Sequence, residues 1–141
     1  MFERLSRYLP VLPLIGGGKT AFQPVFVEDV AQAVINVTQL PKDQVLSCVY
    51  HIGGADILTF KDIYRKIFHY TGRKRFLLPL PWRIAKIQAG FMQMMPNPLL
   101  TVDQVNSLKS DNVIPAEGLT LNDLAVTPTP VDKVLPSYLG R

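Results

Sequence analysis

Residues 13–34 read PLIGGGKTAFQPVFVEDVAQAV, and whether their glycines hold a phosphate or turn the chain decides which fold can follow. A phosphate-binding loop needs G-x-x-x-x-G-K-[ST] at the mouth of a helix. Gly18, Lys19 and Thr20 satisfy the second half of that pattern, but the first glycine should stand where Pro13 is. The residues that follow, AFQPVFV, carry Pro24 and β-branched or aromatic side chains that suit extended backbone. Without a helix N-terminus there is no dipole and no fan of free N–H groups to hold an anion. The stretch is expected to be a tight turn, its glycines supplying positive φ, followed by a short strand FQPVFV. Asp29 is expected to cap the next helix, in which Val30, Ala33, Val34 and Val37 recur at helical spacing.

At 141 residues the chain has the length of one domain with its own core. A hydrophobic content of 48% with 18% charged residues describes a globular protein and excludes a disordered one. The net charge of +4 is modest, and its visible concentration, Arg73-Lys74-Arg75, is too short for a nucleic-acid footprint. It reads as a solvated loop, with an anionic lipid or phosphate as the sharper alternative. A single cysteine, Cys48, excludes an internal disulfide and a cysteine metal cluster, and is expected as a small buried residue. Prolines interrupt every long apolar run, so no segment reaches the roughly 20 residues of a spanning helix. The first residues lack the pattern of a cleaved signal. A cytoplasmic, reducing location follows as the expectation, with peripheral membrane association left open.

The remaining elements follow from spacing and punctuation. Residues 1–9 (MFERLSRYL) show helical spacing up to Pro10. Residues 45–52 (VLSCVYHI) form an apolar run of the kind buried on both faces of a parallel sheet, closed by Gly53-Gly54. Thr59 with Asp62 reads as a capping box for a helix lined by Phe60, Ile63, Tyr64, Ile67 and Phe68, stopped at Gly72. RFLLPLP reads as a short strand or extended segment, and Pro81 as the start of a helix carrying Trp82, Ile84, Ala85, Ala89, Met92 and Met95. VDQVNSLK reads as a short capped helix, and two brief helical pieces flank residues 127–130 (TPTP). Alternating strands and helices make an α/β order. A glycine-rich turn between strand and helix is missing, so no pyrophosphate site is encoded. Tyr70 and Lys74 have the spacing of a catalytic Tyr-x-x-x-Lys pair, but Gly72 breaks the helical face they would share. His51 is expected as a hydrogen-bonded core residue and His69 as a helix-end residue. Neither has partners at metal-ligand spacing.

Residues 13–34, VYHIGGADILTFKDI, TGRKRFLLPLP, LLTVDQVNSLKSDNVI and VDKVLPSYL, in that order, resemble the C-terminal half of atypical short-chain dehydrogenase/reductases. The resemblance covers nearly the whole chain and is nearest to the Rossmann-type accessory subunits of respiratory complex I, within the NAD-dependent epimerase/dehydratase superfamily. It implies the C-terminal portion of an NAD(P)-binding Rossmann-like α/β fold with a small substrate-side subdomain, residues 1–141 forming one domain. VLSCVYHI would be the last strand of the dinucleotide-binding sheet. NAD or NADP would belong to the full-length relative and not to this chain alone, whose cofactor half and catalytic Tyr/Lys helix would lie upstream.

Sugar-nucleotide epimerases resemble this chain at VFVEDVAQAV but commonly hold an arginine where Phe22 stands. An aromatic side chain cannot neutralise a diphosphate. Phe22 and Gln23 are therefore the substrate-pocket candidates, for a less charged, lipid-like or quinone-like ligand. Against this stand core packing for Phe22 and backbone bonding for Gln23. Met92, Met94 and Met95, with Phe91 and Trp82, read as a core or lid face, or as a membrane or partner surface if exposed. Three functions remain open: a structural, assembly or quinone-related part of a complex I accessory protein, the substrate half of an active NAD(P)-dependent reductase or epimerase, or a stand-alone interaction module. The partners implied are the missing N-terminal half or a second copy, and respiratory complex I or a membrane surface on the cytoplasmic or matrix side.

Overall fold

The computed structural model describes residues 11–41, 48–94, 98 and 100–139. The helix expected over residues 1–9 lies outside them, as do residues 45–47 and Met95. The order is β1 (Val11–Ile15), a 3-10 turn (Gly16–Gly18), β2 (Ala21–Phe22), α1 (Val27–Gln39), β3 (Leu58–Thr59), α2 (Phe60–Thr71) and β4 (Phe76–Leu80). α3 (Trp82–Met92), α4 (Val102–Ser107), a 3-10 turn (Asn122–Leu124) and α5 (Val131–Leu139) complete it. The chain forms two compact units, Met1–Phe22 with Leu58–Asn112 and Gln23–Ile57 with Val113–Arg141.

The first unit is built on a parallel pair, β1 with β4, in the register Val11 opposite Phe76 through Ile15 opposite Leu80. Residues 11–15 were not among the expected strands. Among the described residues the sheet has only these two strands, so each is an edge, where a residue without an N–H is tolerated. Pro13 and Pro79 sit there. Alternation assigns the faces. Leu12 and Leu14, with Leu77, pack beneath Phe60, Tyr64 and Phe68 of α2. Ile15 and Leu80 join Ala85 and Ala89 of α3 and Val105 of α4 in a second cluster.

The glycine turn is structural. Gly16, Gly17 and Gly18 have φ of 62°, 73° and 67°, and a Cβ on Gly16 would stand 2.0 Å from the Trp82 ring. The chain then enters β2, which pairs antiparallel with β3 through Ala21–Thr59 and Phe22–Leu58. The strand expected as FQPVFV is confined to Ala21–Phe22, because Pro24 can donate nothing to a ladder. α2 begins as expected: the Thr59 hydroxyl accepts from the Asp62 N–H at 3.2 Å, and the Asp62 carboxylate accepts from the Thr59 N–H at 3.3 Å. It ends on Gly72 in the left-handed conformation, with φ of 64°. Thr101 and Gln104 form the same box on α4.

In the second unit α1 packs on a cluster of Ala33, Leu121, Leu124 and Val126, and Asn36 Nδ2 donates to the Leu124 carbonyl at 2.7 Å. Asp29 does not cap α1. The N-cap is Phe26, and Asp29, buried in the first turn, accepts from the Thr129 N–H and hydroxyl at 2.7 and 2.8 Å. Asp56 accepts from the Val131 N–H at 2.7 Å, tying down the first turn of α5. The segment expected as a strand is not one in its described part. Tyr50 makes a single bridge to Leu119, Cys48 is exposed instead of buried, and Val49 is 71% exposed. An apolar run becomes a strand only beside a pairing partner, and among the described residues Tyr50 makes only that one bridge.

Candidate functional site

Within the first unit a cavity of about 940 Å3 opens over one face of the β1–β4 pair. Its floor is Val11, Pro13, Ile15, Leu78 and Leu80, the side chains that alternate away from the Leu12–Leu14 core. Its wall is an aromatic row. Phe22 lies 6.1 Å from Phe60, and Phe60 lies 4.9 Å from Tyr64 in an edge-to-face contact, ring centre to ring centre. Phe60 and Tyr64 stand one turn apart on α2, so helical spacing puts both beside Phe22. Burial pushes the Tyr64 phenol up to about 12, so it is a neutral donor at any physiological pH. α3 contributes Gln88 and Met92, and α4 contributes Gln104 and Ser107.

One end is polar. Ser110, Asp111 and Asn112 line it, and two hydrogen bonds fasten this segment to β2. The Asp111 carboxylate accepts from the Ala21 N–H, and the Asn112 N–H donates to the Ala21 carbonyl, each at 2.8 Å. The Thr20 hydroxyl donates to the Leu108 carbonyl beside them. Among the described residues no lysine, arginine or histidine lines the cavity. The chemistry offered is a long apolar floor and aromatic wall, with the neutral Ser110 and Asn112 and the Asp111 carboxylate, itself bonded to the Ala21 N–H, at one end.

Of the two residues singled out from sequence, Phe22 lines this cavity and Gln23 does not. Gln23 belongs to the second unit, where its Nε2 donates to the Gly54 carbonyl at 2.9 Å and its Oε1 accepts from the Ile114 N–H at 3.1 Å. Gly54 lets that strap lie close, since a Cβ there would meet the Pro24 carbonyl oxygen at 1.8 Å. The floor residues were missed because residues 11–15 did not read as a strand. The period-2 alternation of VLPLI against FLLPL was the available signal.

Among the described residues, neither the glycine turn nor the Tyr70–Lys74 pair has the geometry of a dinucleotide or catalytic site. A dinucleotide pyrophosphate needs a glycine turn leading into a helix, whereas Gly16–Gly18 leads into β2. Tyr70 lies inside α2 and Lys74 beyond its left-handed stop, so they share no helical face. Among the described residues no group of three His, Cys, Asp or Glu side chains could hold a metal ion.

The fold itself is α/β and Rossmann-like. The chain superposes on the triphenylmethane reductase of Citrobacter sp. with a TM-score of 0.69 at 16% identity, covering 99% of this chain and 48% of that one. Its sequence is 34% identical over 127 residues to the NADH dehydrogenase [ubiquinone] 1 alpha subcomplex subunit 9, mitochondrial, of Arabidopsis thaliana, covering 83% of this chain and 31% of that protein. The mouse protein of the same name is 32% identical over 128 residues, 89% of this chain and 33% of its own. No family model matches the sequence. Sequence and fold relate the chain to this complex I subunit, a protein of the atypical short-chain dehydrogenase/reductase kind. It spans about a third of the length of the curated relatives it matches.

Proposed function

We propose that this chain is the substrate-side portion of an NAD(P)-binding atypical reductase-like protein of the complex I accessory kind, with a structural, assembly or quinone-related role. Its cavity would take an uncharged, chiefly apolar ligand such as a quinone. The observation that carries this reading is Phe22 in the wall of a cavity that, among the described residues, no cation lines. A sugar nucleotide would bring a diphosphate into that space with nothing to pair it, at a cost that buried unpaired charge always carries. A quinone would lay its tail on the sheet floor and its ring carbonyls toward Ser110 and Asn112.

The cofactor half would pack on the second unit. α1 buries one face through Ala33 and exposes another through Val27, Val34 and Ile35, at 64%, 58% and 50%. A helix apolar on two faces is made to sit between two layers. The relatives are mitochondrial by name, and no described helix is long and apolar enough to cross a membrane. The working place proposed is therefore peripheral, on the matrix or cytoplasmic side of an inner membrane.

Titrating the 141-residue chain with decylubiquinone, and following quenching of its single tryptophan, tests the ligand assignment. Saturable quenching is expected, weakened about tenfold or more in Phe22→Arg, a loss of roughly 1.4 kcal/mol. Saturable binding of UDP-glucose, or a quinone affinity untouched by Phe22→Arg, would overturn it.

A further inference from the structure

α3 shows three kinds of surface around its circumference. Ala85 and Ala89 are fully buried, and Gln88 and Met92 line the cavity. Ile84, Ile87 and Phe91, with Met94 just past the C-cap, are 53%, 62%, 72% and 84% exposed. At about 100° per residue these four fall within one arc of roughly 80°. Arg83 and Lys86 continue the circumference on the side away from the cavity. Lys109, after α4, touches Lys86, and that contact lowers its pKa through a side-chain hydrogen bond and like-charge repulsion. The flanking sequence shares this sign. From Ile63 to Val102 the sequence holds no Asp or Glu and seven of its fifteen lysines and arginines.

We infer that α3 is an interfacial anchor that lays its Ile84–Ile87–Phe91–Met94 stripe into an anionic phospholipid bilayer, with Arg83, Lys86 and Lys109 on the headgroup phosphates. A narrow apolar stripe flanked by long cationic side chains is the pattern of a helix lying in the membrane interface. Lysine and arginine stems run along the apolar surface while their heads reach phosphate. The adjacent Lys86 and Lys109 heads repel each other until an anion lies between them, which a sheet of phosphates supplies. The occupant is assigned on this charge complementarity: forty residues without one acid suit an anionic surface. Docking does not depend on what fills the cavity. It does bring the Gln88–Met92 side of the helix, and so the cavity it lines, beside the bilayer.

Co-sedimentation of the 141-residue chain with vesicles decides it. Binding is expected to an equal mixture of phosphatidylcholine and phosphatidylglycerol, and little to phosphatidylcholine alone. Lys86→Gln with Lys109→Gln should lower that partition about 30-fold, at about fivefold per cation. Ile87→Ser with Phe91→Ser should abolish it with an unchanged circular dichroism spectrum, the side chains being exposed. Val34→Ser, in the second unit, should leave it unaltered. Equal binding to both vesicle types, or binding indifferent to the Ile87 and Phe91 changes, would overturn the inference. So would failure to bind vesicles together with self-association that these two changes remove, which would make the stripe an interface between copies.

Discussion

Gly16 shows how one residue couples a turn to a core. Its φ of 62° lies in the left-handed region, which costs an L-residue about 1–2 kcal/mol. Its missing side chain is also the space that the Trp82 ring occupies. Gly17 has the same kind of backbone, with φ of 73°, but nothing within 4 Å of its would-be Cβ. The two positions therefore separate backbone strain from packing. Gly17→Ala should cost about 1–2 kcal/mol, whereas Gly16→Ala should cost more and displace Trp82. Thermal denaturation gives the difference, and a red shift of tryptophan emission confined to Gly16→Ala reports the displaced ring. Equal losses with unshifted emission would show that the ring does not depend on this glycine. At the same scale, Phe22 stood out in the sequence because an aromatic residue in place of an expected cation changes the ligand chemistry, and the structure places it in the cavity wall. Gln23 was less legible. A glutamine that bonds backbone and one that bonds ligand look alike until their neighbours, here Gly54 and Ile114, are placed.

Capping chemistry made the helices the most legible elements. Thr59 and Asp62, and Thr101 and Gln104, are local pairs whose hydrogen bonds need no distant partner, so sequence alone located both helix starts. Thr59→Ala should destabilise the chain by about 1 kcal/mol at neutral pH. The Asp62 carboxyl sits below its ordinary value of 3.8, chiefly through the hydrogen bond from the Thr59 side chain, with help from the Thr59 N–H. A carboxyl lowered on folding contributes stability above its unfolded value and loses it as pH falls through its folded value. The gap in stability between the parent chain and Thr59→Ala should thus be full above about pH 5 and narrow in the acid range below 3.8. Urea denaturation from pH 7 to pH 3 measures it, and a gap independent of pH would remove the carboxylate from the account. Arg65, 3.6 Å from Asp62 on an exposed face, adds little, as exposed pairs do. Strands were the less legible elements because their hydrogen bonds are all non-local. VLPLI, with a proline at its centre, is a strand because FLLPL lies beside it, and the described residues 48–52 make only the Tyr50–Leu119 bridge because an apolar run names no partner.

For the molecule as a whole, the unpaired apolar surface of the second unit sets the behaviour to expect. Val27, Val34 and Ile35 of α1 are half or more exposed, and Val49 and Ile57 of the following segment are 71% and 64% exposed. A patch of this kind on a soluble chain marks an interface. In isolation it has only other copies to meet, so the 141-residue chain should self-associate, and its melting temperature should rise with protein concentration as mass action requires. Val34→Lys with Ile35→Glu should yield a monomer at every concentration. The core of the unit, Ala33 with Leu121, Leu124 and Val126, lies on the opposite face of the helix, so the variant should keep its helical circular dichroism. Sedimentation velocity and thermal scans over a hundredfold concentration range distinguish the outcomes. A parent chain that stays monomeric, with a melting temperature independent of concentration, would show that α1 needs no second layer. The proposal of a cofactor half packed against it would then fall, while the cavity of the first unit, built wholly from its own strands and helices, would be untouched.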